Sequence, residues 1–362
     1  MLLESVTESE LKVVGSLQGH QPGEHFGASL AVFDMNNDGR DDIIIGAPHH
    51  TDYKSPEVQF DVGAVYIYYQ TTSGTYKDDP QDRIEWKTSG AQFGFAVAGL
   101  GDTNGDGVND LAVGAPYENE GSGTVYIYHG LTGVPGLRTK PGQIISGKHF
   151  NPPIRSFGFS FSNGATDFDN NQYSDLIVGA YQSSTVVYLP ARPVVRVASE
   201  IIFNPEYIIL DKKDCKIPPT TPGSQSVPVA CATLRYCLIY NGVGVPRDVN
   251  VNITIALDVK QPKSSRLLFL KTNDYIWTQI FGLRLNEQLC QEQPVYLKPD
   301  VRDKLSPMEV ILVTNLVETS GPLAPILDIY SGSGYASKSL SIFRDCGSDL
   351  ICIPDLRLST TT

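Results

Sequence analysis

The chain has 362 residues, of which 41% are hydrophobic and 19% charged, and its formal net charge is −12. This acidity excludes a nucleic-acid partner, because an acidic surface repels a phosphate backbone. The apolar content is enough for folded cores, and the 33 glycines and 24 prolines favour an all-β protein of about two domains.

A repeat organises the first half of the chain. Residues 11–17 predict the last strand of a preceding unit, and three similar units then begin with Phe-Gly at Phe26, Phe93 and Phe157. Each unit has a short half-buried run, an Asp-rich loop, an apolar run and a third run. The apolar runs are 43–48, 111–116 and 176–181, the third runs are 63–68, 123–128 and 185–189, and fourth runs follow at 83–86 and 143–146. Short β-branched and aromatic runs bounded by Gly, Pro and Asp predict strands, and four per unit predict a propeller blade.

The third unit has three strands before it ends at residues 190–193, and three blades do not close a ring. We therefore expect a partial propeller of about three blades, whose N-terminal part lies outside this sequence. The tyrosines of the third runs recur at strand spacing, so they are predicted to be packing residues. They are Tyr66, Tyr68, Tyr126, Tyr128 and Tyr188.

Two short motifs are interpreted as loops. Residues 142–149 nearly match a phosphate-binding loop, but the run ends in His149, and Pro152 and Pro153 prevent the helix that such a loop needs. A strand end followed by a loop is predicted there. His49 and His50 have no clear third metal ligand, so they are predicted to lie in a solvated loop.

Nine-residue loops at 34–42, 102–110 and 167–175 join the first and second strands of the units. They follow the pattern D-x-[DN]-x-[DN]-G-x-x-D, except that Gln172 replaces the glycine. Calcium takes six to eight oxygen ligands, which side chains at positions 1, 3, 5 and 9 and the carbonyl at position 7 can supply. The candidate ligands are Asp34, Asn36, Asp38, Arg40 and Asp42; Asp102, Asn104, Asp106, Val108 and Asp110; and Asp167, Asp169, Asn171, Tyr173 and Asp175.

These loops differ from EF-hands, which need Glu at position 12 and flanking helices. Position 12 is Ile45, Val113 or Val178, inside a predicted strand. One such loop alone could be a solvated Asp/Asn turn, but three in register favour calcium. The third loop is expected to bind less tightly, because Gln172 must adopt a left-handed conformation that glycine adopts without strain.

The second half of the chain predicts a β-sandwich of about 150 residues, with clean alternation at 249–255 and 309–313. All six cysteines lie between Cys215 and Cys352 without paired C-x-x-C motifs, which favours disulfides over zinc, although about 15 pairings are open. Asn252 begins a glycosylation sequon, which is either used or silent. These secretory features, without a signal peptide or an apolar run of membrane-spanning length, suggest a fragment.

Phe-Gly, the calcium loop and Gly-Ala-Pro together resemble the FG-GAP repeats of integrin α subunits. Residues 184–197 resemble that family's passage into the thigh domain, 301–307 a thigh segment, and 345–352 the knee, or genu. The resemblance implies an all-β chain, in which 1–192 are the last three of seven blades and 193–343 are a thigh-type Ig-like β-sandwich. Residues 344–362 would be the genu and the truncated start of the next, calf-1, sandwich.

The resemblance also implies disulfides, cofactor and partners. The implied disulfides are Cys215–Cys231, Cys237–Cys290 and Cys346–Cys352. The implied cofactor is calcium at three propeller sites, on the face opposite the one that binds ligand together with an integrin β subunit. The other implied partner is an extracellular-matrix or cell-surface protein. The chain would then be a cell-surface receptor on the extracellular side of the plasma membrane. It would meet the membrane only through a single transmembrane segment elsewhere in the subunit, and it would have no enzymatic activity.

Three positions depart from the family pattern. Gln172 replaces Gly, and Tyr181 replaces Pro in the last Gly-Ala-Pro. Ser348 stands where the family often has Glu at the knee cation site, so Asp349 is the remaining candidate ligand there.

Two other classes of function are considered. One is a secreted enzyme with an integrin-like propeller, of the glycosylphosphatidylinositol-specific phospholipase D type, which the cysteine-bearing second half disfavours. The other is a free-standing calcium-stabilised structural module.

Overall fold

The computed structural model describes residues 2–7, 10–133, 136–162, 164–218, 225–317, 321, 323–328 and 332–343, without the side chains of residues 2–14 and 263. The chain divides between Pro193 and Val194 into two compact units. Each unit is described by itself below.

The first unit consists of short antiparallel sheets, as the repeat predicts. A hairpin of β1 (Leu2–Thr7) and β2 (Glu10–Gly15) precedes three sheets, which we call blades A, B and C. Blade A contains β3 (Ser29–Phe33), β4 (Asp42–Ala47), β5 (Ala64–Tyr68) and β6 (Asp82–Glu85). Blade B contains β7 (Ala96–Gly101), β8 (Asp110–Ala115), β9 (Thr124–Tyr128) and β10 (Gln143–Ser146). Blade C contains β11 (Phe157–Phe161), β12 (Leu176–Ala180) and β13 (Thr185–Leu189).

The order of strands within each blade follows the sequence, and every neighbouring pair is antiparallel. The prediction of an all-β fold with a partial propeller is therefore confirmed. The strand predicted at 11–17 is β2, and its pairing with β1 was missed because nothing in residues 2–7 marked a strand. Residues 142–149 contain the short strand β10 and a single 3₁₀ turn at Gly147–His149, in agreement with the predicted strand end and loop. Other short turns are Glu118–Gly121 and Tyr181–Ser183.

The glycines of the repeated motif allow neighbouring blades to approach closely. A side chain on Gly46 of blade A would lie 2.0 Å from the carbonyl oxygen of Gly94, in the Phe-Gly of blade B. The same relationship joins Gly114 of blade B to Gly158 of blade C, again at 2.0 Å. Backbone therefore packs on backbone at each junction, and any larger residue would separate the blades.

Apolar side chains between the blades form shared cores. Ile44, Val65 and Ile67 of blade A pack with Phe93 and Val113 of blade B. A second core joins blade B to blade C. Four of the predicted packing tyrosines, Tyr66, Tyr68, Tyr126 and Tyr128, are buried, as expected. The prediction that Tyr188 is a packing residue is wrong, because 45% of its surface is exposed.

The second unit is a sandwich of two five-stranded sheets, as predicted. The first sheet runs in the order β20 (Leu267–Phe269), β22 (Leu289–Leu297), β18 (Cys231–Asn241), β14 (Val194–Asn204) and β24 (Ile326–Leu327). The second runs β15 (Tyr207–Ile208), β25 (Tyr335–Ile342), β23 (Met308–Leu316), β19 (Asp248–Ala256) and β21 (Ile276–Arg284). A hairpin of β16 (Cys215–Ile217) and β17 (Val227–Val229) and a 3₁₀ turn at Pro262–Ser264 complete the unit.

The sandwich core is formed by alternate residues of the facing sheets, including Leu234, Tyr236, Ile253 and Leu312, which are fully buried. Strands β19 and β23 contain the two alternating runs that predicted them. Disulfides join Cys215 to Cys231 and Cys237 to Cys290. The expected partners Cys346 and Cys352, together with Ser348 and Asp349, lie outside the described residues.

Candidate calcium loops

Each candidate calcium loop connects the first and second strands of one blade. The loops follow β3, β7 and β11, and their ninth residues, Asp42, Asp110 and Asp175, are buried at or next to the start of the second strand. All three loops therefore lie at the same end of their blades.

The position-1 carboxylate organises the turn in all three loops. Its two oxygens accept hydrogen bonds from the backbone N–H groups of positions 5 and 6, at 2.7–3.2 Å, and the donors are Asp38 and Gly39, Asp106 and Gly107, and Asn171 and Gln172. The side-chain oxygen at position 5 in turn accepts from the N–H of position 7, at 2.8–3.0 Å. The repeated bonds aim the oxygens of positions 1 and 5 into the turn.

The position-9 carboxylate ties the loop to the third strand. One oxygen accepts from the N–H of position 2, at 2.9–3.0 Å. The other accepts from a backbone N–H two residues beyond the third strand, which belongs to Gln70 (2.9 Å), Gly130 (3.1 Å) or Ala191 (2.8 Å). A cation held at position 9 would therefore stabilise three strands of the blade together.

Two observations show that the residues present fit a cation. In the third loop, carboxylate oxygens of Asp167, Asp169 and Asp175 lie within 4.8 Å of one another, which makes this an acidic cluster. In the first loop, the Oδ1 atom of Asn36 is buried and has no hydrogen-bond partner. An unpaired buried oxygen is costly, and an ion would satisfy it. Calcium is a cation that accepts such an oxygen-only set in flexible geometry.

Burial and mutual repulsion shape the protonation of these carboxylates. Burial raises the pKa of Asp42 to about 6, against the hydrogen bonds from Gln70 and Met35 and with help from the charges of Asp38 and Asp34. Burial also raises the pKa of Asp102. In the third loop burial raises the pKa of Asp169, and the charges of Asp175 and Asp167 add to the effect. A cation among these groups would remove the repulsion.

The glycine position shows the strain that the sequence predicted for the third loop. Gly39 and Gly107 have φ angles of +81° and +86°, and Gln172 adopts +74° in the same place. A Cβ atom on either glycine would meet nothing within 4 Å, so the strain at Gln172 is conformational rather than steric.

The first loop has an ion pair at position 7. The Arg40 guanidinium contacts Asp38, with Nη2 2.5 Å from Oδ2, and Nε donates to the carbonyl of Gln70 at 3.2 Å. The sequence pattern treated position 7 only as a carbonyl ligand and did not indicate this contact.

The prediction of a solvated loop is wrong for His50, which is 2% exposed. Its Nδ1 lies 2.8 Å from Glu24 Oε2, which also accepts a hydrogen bond from the hydroxyl of Tyr66. His49 is half-buried and contacts Asp61 at 2.8 Å. The partner Glu24 comes from the loop before β3, so the sequence next to His50 gave no signal of it.

Further residues lie elsewhere in the two units. The Tyr188 hydroxyl donates to Asp175 Oδ2 at 2.9 Å, so this tyrosine supports the third loop. Asn252 of the sequon is half-buried in the middle of β19, opposite Ile280 and Asn315. Among the described residues, no helix has the length and apolar character needed to cross a membrane.

At the end of the blades opposite the calcium loops, four rings form what we call the aromatic cluster: Phe95, Tyr117, Phe159 and Tyr181. Ring centroids are 4.7 Å apart for Phe95 and Phe159, 4.3 Å for Phe159 and Tyr181, and 6.0 Å for Phe95 and Tyr117. Half of Tyr181 is exposed and the other three rings are partly buried. The cluster extends across blades B and C.

Comparison with protein families gives two matches. The family described as integrin alpha Ig-like domain 1 matches residues 191–344, and the FG-GAP repeat matches residues 26–68 and 93–128. The first match covers the sandwich, and the second covers the calcium loop and the first three strands of blades A and B.

Curated relatives are similar over almost the whole chain. Integrin alpha-PS2 of Drosophila melanogaster is 37% identical over 96% of this chain and 26% of its own length. Integrin alpha-8 is 37% identical in Gallus gallus and 34% in Homo sapiens, over 98% of this chain. The chain spans about a quarter to a third of these relatives. Among solved structures, a Pseudomonas fluorescens alkylpurine DNA glycosylase, AlkC, bound to DNA containing an abasic site analog, aligns at 12% identity over 41% of this chain and 30% of its own. Its TM-score of 0.20 is too low to indicate a common fold.

Proposed function

Because the chain belongs to the integrin α family, we propose that it works in a calcium-stabilised cell-adhesion receptor and not as an enzyme. Its relatives are integrin α subunits, which are cell-surface receptors. In this proposal the chain lies on the extracellular side of the plasma membrane, in a subunit with one transmembrane segment, and pairs with an integrin β subunit. The phospholipase D type of function is not favoured, because both family matches and these relatives are of the integrin α type.

The domain assignment is part of the same proposal. Residues 1–192 are the last blades of a propeller, 193–343 are the thigh-type sandwich, and 344–362 are the genu and the start of a calf-1 sandwich. The agreement of the division after Pro193 with the start of the Ig-like match at residue 191 supports the first boundary. Glycosylation of Asn252 and a third disulfide, Cys346–Cys352, belong to the proposal.

Calcium is the proposed cofactor, at three sites. In each loop the side chains at positions 1, 3, 5 and 9 and the carbonyl at position 7 hold the ion. The observation that carries this assignment is the one hydrogen-bond pattern shared by three loops of different sequence, together with the unpaired Oδ1 of Asn36. The bound ion neutralises the loop carboxylates and joins the first hairpin of each blade to the end of the third strand.

The calcium proposal is tested by titrating the chelator-treated chain with calcium and counting bound ions by native mass spectrometry. Three ions are expected, with magnesium at the same concentration failing to replace them, because magnesium demands a more rigid octahedral site. Binding of no calcium at millimolar concentration, the weakest range known for extracellular modules, would contradict the proposal.

The aromatic cluster is the proposed docking surface for the β subunit. Partly exposed aromatic rings are enriched among the residues that dominate protein interfaces. The cluster also lies away from the calcium loops, at the blade ends that the family resemblance assigns to the partner. In this proposal its rings pack against apolar residues of the β subunit.

The docking surface is tested by measuring binding of the chain to an integrin β-subunit ectodomain. Tyr181→Ala should weaken binding by about tenfold or more, in the range of an interface hot spot. Tyr207→Ala in the sandwich is the matched control, because Tyr207 is 49% exposed and Tyr181 50%. Equal affinity of both variants would place the partner elsewhere.

A further inference from the structure

We propose that Arg40 is an internal competitor for the cation at the first calcium loop. Its guanidinium must leave Asp38 before that carboxylate can bind an ion, so calcium binding at this loop is weaker than the loop's oxygens alone would give. The inference rests on the calcium function proposed above and concerns the affinity of one of its three loops.

Every oxygen of the Asp38 carboxylate has a donor from within the loop. Oδ2 accepts from Nη2 of Arg40 at 2.5 Å and from Nδ2 of Asn36 at 3.2 Å, and Oδ1 accepts from the N–H of Arg40 at 3.0 Å. The contact that turns the Asn36 amide nitrogen towards Asp38 also leaves Asn36 Oδ1 buried without a partner. The guanidinium thus occupies Asp38, while the Asn36 amide contact leaves the oxygen at position 3 unsatisfied.

The second loop shows what the arrangement is without the guanidinium. Asp106 at position 5 accepts from the N–H of Val108 at 3.0 Å and from Nδ2 of Asn104 at 3.0 Å, as Asp38 does from its counterparts. Position 7 is Val108, which carries no charge. Arg40 is therefore the difference at this carboxylate between the two loops.

The Arg40 side chain is held beside the Asp38 carboxylate, but it is exposed enough to move away when an ion binds. Its Nε donates to the carbonyl of Gln70, which fixes the guanidinium over the loop. The side chains of Arg40 and Asp38 are 32% and 24% exposed, so water can take over both partners when they separate. Exposed ion pairs of this kind contribute only about 0.2–1 kcal/mol, so the competition should lower calcium affinity by about twofold to fivefold rather than abolish binding.

Calcium titration of the full chain by isothermal calorimetry tests the inference through reciprocal substitutions. Arg40→Val gives the first loop the residue of the second, and Arg40→Gln removes the charge while keeping a polar side chain. Val108→Arg introduces the competitor into the second loop. We expect one dissociation constant to fall by about twofold to fivefold in both Arg40 variants and one to rise by a similar factor in Val108→Arg. The second loop also has a histidine contact, because Nδ1 of His129 lies 3.3 Å from Oδ2 of Asp110. His129 is kept in every variant, so this contact does not distinguish them.

Terbium luminescence assigns the change to the first loop. The Tyr76 hydroxyl donates to the carbonyl of Asp41 at 2.9 Å, so Tyr76 can sensitise an ion bound there, and Tyr76→Phe should weaken that signal. The midpoint of this signal should shift to lower terbium concentration in Arg40→Val and Arg40→Gln.

The outcomes distinguish a failure of the competitor role of Arg40 from a failure of the calcium function of the loops. If wild type binds calcium and both Arg40 variants bind with unchanged or lower affinity, at an unchanged unfolding temperature in chelator, the competitor role of Arg40 is overturned. If no variant binds calcium at any loop, the calcium function itself fails, and the inference fails with it. Tighter binding in both Arg40 variants supports the competitor role.

Discussion

His50 Nδ1 lies 2.8 Å from Glu24 Oε2, and the two side chains are only 3% and 1% exposed. Burial raises the pKa of Glu24, but hydrogen bonds from His50, Tyr66 and the N–H groups of Gln21 and His20 outweigh it and hold the pKa below its usual range. The carboxylate is therefore ionised and fully satisfied inside the protein. It fixes the loop before β3 against the loop after β4.

Replacing this carboxylate should destabilise the first unit. Glu24→Gln keeps the size of the side chain but removes the charge that its donors surround, and we expect a loss of about 3 kcal/mol in the free energy of unfolding. Glu57→Gln is the control, because Glu57 is exposed. Urea denaturation measures both. A loss below about 0.5 kcal/mol for Glu24→Gln would show that the cluster does not hold the loop.

Replacing the left-handed residue of the third calcium loop with glycine should stabilise the chain. Gln172→Gly removes the conformational penalty at φ +74°, so the chelator-treated chain should gain about 1 kcal/mol in the free energy of unfolding. The reciprocal variant, Gly107→Gln, should lose a similar amount, because only the φ angle and no steric contact opposes it. If Gln172→Gly destabilised the chain, the Gln172 side chain would have a stabilising role that outweighs the strain.

In the sandwich, the guanidinium of Arg266 is 5% exposed and pairs with Asp258 through Nε at 2.8 Å and Nη2 at 2.7 Å. It also donates to Asp303 and to the carbonyl of Ser306, and so holds the segment before β23. Arg266→Met leaves the buried Asp258 uncompensated and should cost about 3–5 kcal/mol. Chemical denaturation measures it, with Arg284→Met, at 72% exposure, as the control. Equal stability of the two variants would contradict this role.

The same segment should contribute to the acid sensitivity of the sandwich. Hydrogen bonds from Ser306 and Leu305, with the charge of Arg266, lower the pKa of Asp303 to about 2. A lowered folded-state pKa gives stability that is present above the unfolded pKa of about 3.9 and is lost as the pH falls towards 2. Asp303→Asn should therefore be less stable than wild type at pH 7, and the difference should shrink between about pH 4 and 2. A difference that is constant over this range would contradict the lowered pKa.

The sequence predicted those parts of the site that are local. Nine consecutive residues contain the ligands of each loop, together with the turn glycine in the first two, so each loop could be recognised before any strand was paired. The hydrogen bond from the N–H of Gln70 to Asp42 could not be predicted, because it forms only when the third strand pairs beside the second. The burial of His50 depends on Glu24 in the same way. The contact between Arg40 and Asp38 was missed because the loop pattern uses only the backbone carbonyl of position 7 and places no condition on its side chain.

The fold class was predictable because strand composition and repeat spacing are properties of the chain itself. The Arg266 network was not, since Asp258, Arg266 and Asp303 meet only after two loops have folded against the sandwich. Alternation at 249–255 and 309–313 identified β19 and β23, whereas β1 and β15 are short or unpatterned and gave no signal.

Calcium-dependent unfolding of the whole chain tests the central claim most directly, because the two units provide an internal control. With calcium at about 10 to 100 times the dissociation constant, each occupied loop should add about 1.4–2.7 kcal/mol to the free energy of unfolding. With all three loops occupied, differential scanning calorimetry should then show the transition of the first unit rising by about 8–30 °C over its value in EGTA, at about 2–4 °C per kcal/mol, while the transition of the sandwich stays in place. Superimposable traces in calcium and in EGTA would contradict the account.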